Sequence, residues 1–153
     1  LDTIINTLKS DPDDRRMVCS AWNPVQMDRM ALPPCHVLWN IVVLNNKLNL
    51  VWHQRSCDLM LGVPFNIASY ATLLLLLAKE ASLEPGVLQA TFADCHIYDN
   101  QIGGAREQLS RSPRTLPYVD IGDHSSIYNW DSSNVALMNY LPHSKIHFGP
   151  AAV

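Results

Sequence analysis

The sequence predicts an α+β fold: a mixed β-sheet with one buried central helix. Three observations carry that prediction. Val37 to Leu44 and Leu48 to His53 are β-rich runs parted by Asn45-Asn46-Lys47, which reads as a hairpin and argues against a purely parallel sheet. Ile67 to Ser82 contains five consecutive leucines, Leu73 to Leu77, so the helix it predicts is apolar all round and should be buried. Val87 to Tyr98 then reads as a long strand.

The remaining elements follow in order. Leu1, Ile4, Ile5 and Leu8 recur at helical spacing, which predicts an amphipathic helix over residues 2 to 9. Ser10-Asp-Pro-Asp-Asp14 is a turn by composition, and Met17 to Trp22 fits a strand. Pro24, Pro33 and Pro34 forbid a continuous helix or a central strand over residues 23 to 34. Pro85-Gly86 is expected to end the central helix, and Gln101 to Ser110 reads as a polar surface helix. From Pro113 onward the pattern is short strands joined by loops rich in Ser, Asn, Asp and Pro.

Composition bounds the function. The chain has 153 residues, 48% hydrophobic and 16% charged, which fits one domain with a sizeable core and is too apolar for disorder. A net charge of −3 leaves no basic footprint for nucleic acid, although a site for a small anion needs only a few local cations. The longest apolar run, Ala71 to Ala78, is too short to cross a bilayer, and no basic region precedes an apolar one at the start. The four cysteines, Cys19, Cys35, Cys57 and Cys95, form no CxxC pair, so a zinc ribbon or redox motif is not indicated and reduced intracellular thiols are expected.

Several residues have a chemical reading beside a plain one. Cys35 follows Pro33 and Pro34, which stiffen the backbone before a thiol. It is either a nucleophile, needing a fixed position and nearby cations, or a small buried hydrophobe. Arg55 and Ser56, with Gln54 and Asp58 beside them, offer a planar donor fork and a hydroxyl suited to phosphate, or a solvated turn. Arg15-Arg16 is either an anion contact or simply exposed, and Asn66 is either a functional amide or a helix cap. His96 and Tyr98 put two polar tips on one face of the strand, which a core histidine and a half-buried tyrosine would explain equally well.

Read together, these residues resemble the thymidylate synthase family. Six ordered segments carry the resemblance: Asp-Pro-Asp-Asp-Arg15-Arg16, Ser20-Ala-Trp-Asn-Pro24, Met30-Ala-Leu-Pro-Pro-Cys35-His36, Gln54-Arg55-Ser56-Cys-Asp58, Leu61-Gly-Val-Pro-Phe-Asn66-Ile-Ala-Ser-Tyr70, and Asp94-Cys-His96-Ile-Tyr98. It runs from Leu1 to about Arg114 and returns weakly from Tyr140 to Val153. The resemblance implies a thymidylate synthase-like fold in a single catalytic domain over 1–153, lacking the family's N-terminal part.

It also implies a reaction and a set of roles. A one-carbon unit passes from 5,10-methylenetetrahydrofolate to C5 of dUMP through an adduct of Cys35 at C6, giving dTMP. Cys35 matches the nucleophile, and Arg55 and Ser56 match phosphate ligands, Arg55 also helping to hold the thiolate. Gln54 falls in the same substrate-binding segment. Arg15 and Arg16 match a pair that reaches across a homodimer interface to the partner's phosphate. His96 and Tyr98 match ligands of the ribose 3′-hydroxyl; Asp58, Leu61 and Gly62 match the folate side. Val153 matches the terminal residue whose carboxylate closes over the ligands. Asn66 matches the reader of the base: its amide offers a donor and an acceptor to the O4 and N3–H edge of uracil, where related cytosine hydroxymethylases carry Asp.

Three departures qualify the resemblance. The family's N-terminal segment supplies a further phosphate-binding arginine, a catalytic glutamate and tryptophans around the folate, and none is found here. Ser112 to Asn139 follows the pattern loosely. The tail, His147-Phe-Gly-Pro-Ala-Ala-Val153, is one residue longer than the usual ending and has His147 in place of its basic residue. The expectation is therefore a cytoplasmic thymidylate synthase without metal, membrane or DNA partner, mRNA binding being possible in the family but not indicated. The alternatives are a dUMP hydroxymethylase giving 5-hydroxymethyl-dUMP, and a truncated, non-catalytic module that binds nucleotide and dimerises.

Overall fold

The hairpin is the centre of the architecture. A computed structural model describes residues 1–148. Strand β2 (His36–Leu44) turns through Asn45 and Asn46 into β3 (Lys47–Asp58). Both asparagines have positive φ, 52° and 61°, the left-handed geometry that a two-residue hairpin loop demands and that Asn tolerates. The loop is thus one residue shorter than the sequence suggested, Lys47 being the first strand residue. Strand β1 (Val18–Ser20) pairs antiparallel with β2 on its outer edge. Strand β4 (Glu84–His96) pairs parallel with β3, giving one mixed sheet in the order β1-β2-β3-β4. Between β3 and β4 the chain crosses over as helix α2 (Gly62–Glu80), since parallel neighbours need such a connection.

One face of this sheet is the core. Helix α1 (Asp2–Ser10) buries Ile4, Ile5 and Leu8 against it, as their spacing predicts. Alternation along β3 sends Leu48, Leu50 and Trp52 inward beside Ile41 of β2. Helix α2 answers with Tyr70, Leu74, Leu77 and Ala78, and the indole of Trp52 stacks on Tyr70 at 4.7 Å between ring centroids. Lys9 and Glu80 (2.6 Å) tie α1 to α2, and the second oxygen of Glu80 accepts from the backbone of Ile127 at 2.8 Å. Among the described residues nothing covers the opposite face of the sheet, which carries Val18, Val42, Leu44 and Val87, the last two 62% and 64% exposed.

The central helix departs from its prediction in three ways. It starts five residues early, at Gly62, because Pro64 sits in the first turn, where the missing N–H has no intrahelical partner to lose. Its end comes at Ala81-Ser82, with Ser82 at φ 55°; Pro85 and Gly86 instead lie inside β4. Gly86 is needed there for a close approach: a Cβ would stand 2.5 Å from Asn49 Oδ1, which bridges the strands by accepting from Val87 N–H at 2.8 Å. Finally, α2 is not buried all round. Phe65 is 74% exposed and Ile67 also faces solvent. By length and composition α2 would span a bilayer, a property that core helices share; its Tyr70–Leu77 face packs on the sheet.

After β4 comes helix α3 (Ile102–Ser110), which follows a 3₁₀ turn at Asp99–Gln101 and buries Ala105. Two short strands, β5 (Tyr118–Asp120) and β6 (Ala136–Met138), form a separate antiparallel pair.

Candidate functional site

At the C-terminal ends of β3 and β4 the core face changes from apolar to polar. Gln54 continues the Leu48, Leu50, Trp52 face, and it is 2% exposed. Beside it lies a cavity of about 430 Å³ bordered by Cys35 and His36 from the start of β2, and by Gln54, Arg55, Ser56 and Asp58 from β3. Gly62 and Asn66 of α2, His96 and Tyr98 after β4, and Leu32 complete its wall. Nine of the singled-out residues therefore share one cavity, although they span 64 positions of chain (Cys35 to Tyr98).

Several are held by identifiable contacts. Arg55 fastens the prolyl loop that carries Cys35: its Nε donates to the carbonyl of Pro34 at 3.1 Å and Nη2 to that of Pro33 at 2.8 Å. Its backbone N–H donates to the Cys35 carbonyl at 2.9 Å, and its guanidinium lies 5.8 Å from the centre of the Trp22 ring. The thiol is thus presented by a stiff, cation-anchored loop.

Asn66 is not a helix cap; it lies inside α2, and its orientation is set by a relay of fixed polarity. The Trp52 indole N–H can only donate, and it donates to Gln54 Oε1 at 3.3 Å. Gln54 must then turn Nε2 the other way, to the Ser56 carbonyl and to Asn66 Oδ1, both at 3.0 Å. Asn66 in turn is left presenting its Nδ2 donor. The polar atoms of Gln54, read from sequence as a substrate ligand, are spent on this relay.

Asp58 accepts from the N–H groups of Met60 and Leu61 at 3.1 and 3.2 Å through Oδ1, and from Gln101 Nε2 at 3.2 Å through Oδ2. Leu61 enters as a backbone donor and not as part of the cavity wall. His96 ends β4, with its Nδ1 3.6 Å from Asp94. Tyr98 lies past the strand as the cap of the 3₁₀ turn, so the two rings meet edge to face at 4.9 Å instead of projecting side by side from one face of a strand. Gln101 is a residue that sequence reasoning missed, for a lone glutamine opening a polar helix carries no motif.

Arg15 and Arg16 lie elsewhere, on an exposed turn with Asp11, Asp13 and Asp14. Arg16 forks onto Asp14 through Nε and Nη2, at 2.9 and 2.8 Å, and this guanidinium holds the Asp14 carboxyl below the usual carboxylate range. Val153 lies outside the described residues. All four cysteines are free thiols. Cys57 is enclosed behind the site, and burial, with Cys95 beside it, pushes its thiol up to about 11.

Comparison with known proteins identifies the family. The family model described as "Thymidylate synthase" matches residues 1–152. A thymidylate synthase of Corynebacterium aurimucosum is 44% identical over 146 residues, covering 95% of this chain and 54% of its own length. The chain thus spans about half the length of this curated relative. The match over residues 1–152 and this identity place the chain in the thymidylate synthase family.

Proposed function

We propose that residues 1–153 form the nucleotide-binding, nucleophile-bearing part of a thymidylate synthase catalytic domain, which converts dUMP to dTMP. One observation carries the reading: a thiol on an arginine-anchored loop and an amide of fixed polarity share a cavity with donors for phosphate and ribose.

The Cys35 thiolate adds to C6 of the pyrimidine, since a thiolate is nucleophilic near neutral pH where a hydroxyl is not. The electron pair moves towards C5 and O4, where Asn66 Nδ2 donates to the developing charge. Arg55 and Ser56 receive the phosphate, and His96 with Tyr98 receives the 3′-hydroxyl. Asp58, Leu61 and Gly62 border the folate side, and the folate supplies first the methylene carbon and then the hydride. C5 bonds to that methylene carbon and gives up its proton to water, and the folate nitrogen departs to leave an exocyclic methylene. The hydride adds to that carbon as the C6–S bond breaks and Cys35 leaves as thiolate, giving dTMP and dihydrofolate.

The open sheet face, with Val18, Val42, Leu44 and Val87 unpartnered, supports a homodimer through that face. Arg15 and Arg16 then reach the partner's phosphate, where Arg16 exchanges part of its fork on Asp14 for the ligand. The free thiols fit the cytoplasm to which we assign the protein.

Incubation with dUMP and methylenetetrahydrofolate, followed by mass spectrometry of the nucleotide, tests the reading. A gained methyl group supports it. A hydroxymethyl product moves the assignment to dUMP hydroxymethylase. No product, with no labelling of Cys35 by 5-fluoro-dUMP and folate, leaves a non-catalytic binding module.

A further inference from the structure

We propose that Gln101 is a positioning residue that couples the nucleotide side of the cavity to the folate side, so that nucleotide binding is transmitted to the Asp58 carboxylate. The proposal rests on the assignment of those two sides given above.

Gln101 is 0% exposed, and an amide so enclosed must find partners for both ends. Its Oε1 accepts from the Tyr98 backbone N–H at 3.2 Å, and its Nε2 donates to Asp58 Oδ2 at 3.2 Å. The backbone N–H of Gln101 also donates to the Tyr98 carbonyl at 2.8 Å. One residue therefore grips both polar atoms of the Tyr98 backbone and one oxygen of Asp58. The other oxygen of Asp58 holds the Met60 and Leu61 amides that lead into α2. A shift of Tyr98 on closing over a ribose moves the glutamine amide, and with it the carboxylate and the start of α2.

The chemistry requires glutamine-like polarity at this position. The Tyr98 N–H can only donate and an ionised Asp58 can only accept, so a neutral side chain with one acceptor and one donor suits both. Glutamate would keep the acceptor for Tyr98 and set a carboxylate against Asp58. Methionine would keep the volume and remove both bonds.

The test uses Gln101→Met and Gln101→Glu in the full chain, read by amide hydrogen exchange with and without dUMP. Without ligand, the Met60 and Leu61 amides are expected to exchange at least about tenfold faster in both variants, while those of Leu50 and Leu77 keep wild-type protection. On adding dUMP, wild-type protein gains protection at Met60 and Leu61, whereas the variants lose that gain but keep nucleotide binding by calorimetry. In turnover, the folate KM rises about tenfold with kcat within about threefold, a split that a smaller folded fraction would not produce. Wild-type exchange at Met60 and Leu61 in both variants would overturn the proposal. Absence of dUMP binding by the wild-type chain overturns the functional reading and the transmission together, and the unliganded exchange still reports whether Gln101 holds Asp58.

Discussion

Replacing Asn66 by aspartate changes one atom on the edge presented to the base and leaves its support intact. Gln54 Nε2 donates to Asn66 Oδ1 at 3.0 Å and would donate equally well to a carboxylate oxygen, so the Trp52–Gln54 relay persists. What faces the cavity changes from an N–H donor to an oxygen acceptor. Against uracil O4 this removes one hydrogen bond and opposes two acceptors, a loss of about 2 kcal/mol, or about 30-fold in transition-state binding. Against the cytosine amino group the same change creates a bond to a charged acceptor worth about 1.5 kcal/mol, or about 12-fold. Together these shift the ratio of kcat/KM for dCMP over dUMP by about 400-fold. The assay is that ratio measured for Asn66→Asp and wild type under identical folate saturation, with Tm as a check on folding. A ratio within about threefold of wild type, in a protein of unchanged Tm, would refute the claim that the fixed amide edge reads the base.

Four further outcomes follow from the geometry. Cys35→Ser should abolish turnover yet bind dUMP within about threefold of wild type by calorimetry, because the loop contacts of Arg55 go to backbone carbonyls. Gln54→Leu strands the Trp52 N–H, the Ser56 carbonyl and Asn66 Oδ1. It should cost about 3 kcal/mol, a Tm fall of about 6–12 °C by calorimetry, and blur the preference for dUMP over dCMP. Arg15→Ala should weaken dUMP binding while leaving α1 and the sheet intact by circular dichroism; an active monomer would contradict its cross-subunit role. Glu80→Gln tests pH dependence. The Lys9 ammonium and the Ile127 N–H hold the Glu80 carboxyl below its ordinary value near 4.3, roughly, so its contribution is full above that value and lost as pH falls through the depressed one. The Tm gap between wild type and Glu80→Gln should therefore be open at neutral pH and close as acidification passes below the ordinary glutamate range.

Local chemistry explains which parts were legible beforehand. Two asparagines between β-rich runs announced the hairpin, because few other residues accept two successive positive φ values. The contiguous segment Gln54–Asp58 was readable as a unit, since one strand end delivers it to one place. The start of α2 was hidden by Pro64, which punctuates a sequence yet is harmless in a first turn. Pro85-Gly86 looked like a helix stop, but the glycine serves Asn49 across the sheet, a long-range contact that no local rule contains. Arg16 was read for the charge it could offer a ligand, while its carboxylate partner stood two residues before it. Gln101 and the relay through Gln54 depend on which donor meets which acceptor after folding. Residue identity constrains that choice, but only the assembled site fixes it.

Strand β3 bears on how this chain can change over generations. The residues that fill the core and those that border the cavity follow one another along a single twelve-residue strand. Inserting or deleting one residue before Gln54 would reverse the facing of everything beyond it, turning Trp52 outward or Gln54 away from Asn66. Length variation should therefore be purged between Lys47 and Asp58, while substitutions there are filtered by face. The Ser112–Asn139 stretch holds no part of the cavity wall, and its loops on either side of the Ile127 contact with Glu80 can lengthen and shorten. Lineages of this domain should consequently carry their insertions almost wholly downstream of α3, and an insertion library read out by growth without thymidine would display the same asymmetry.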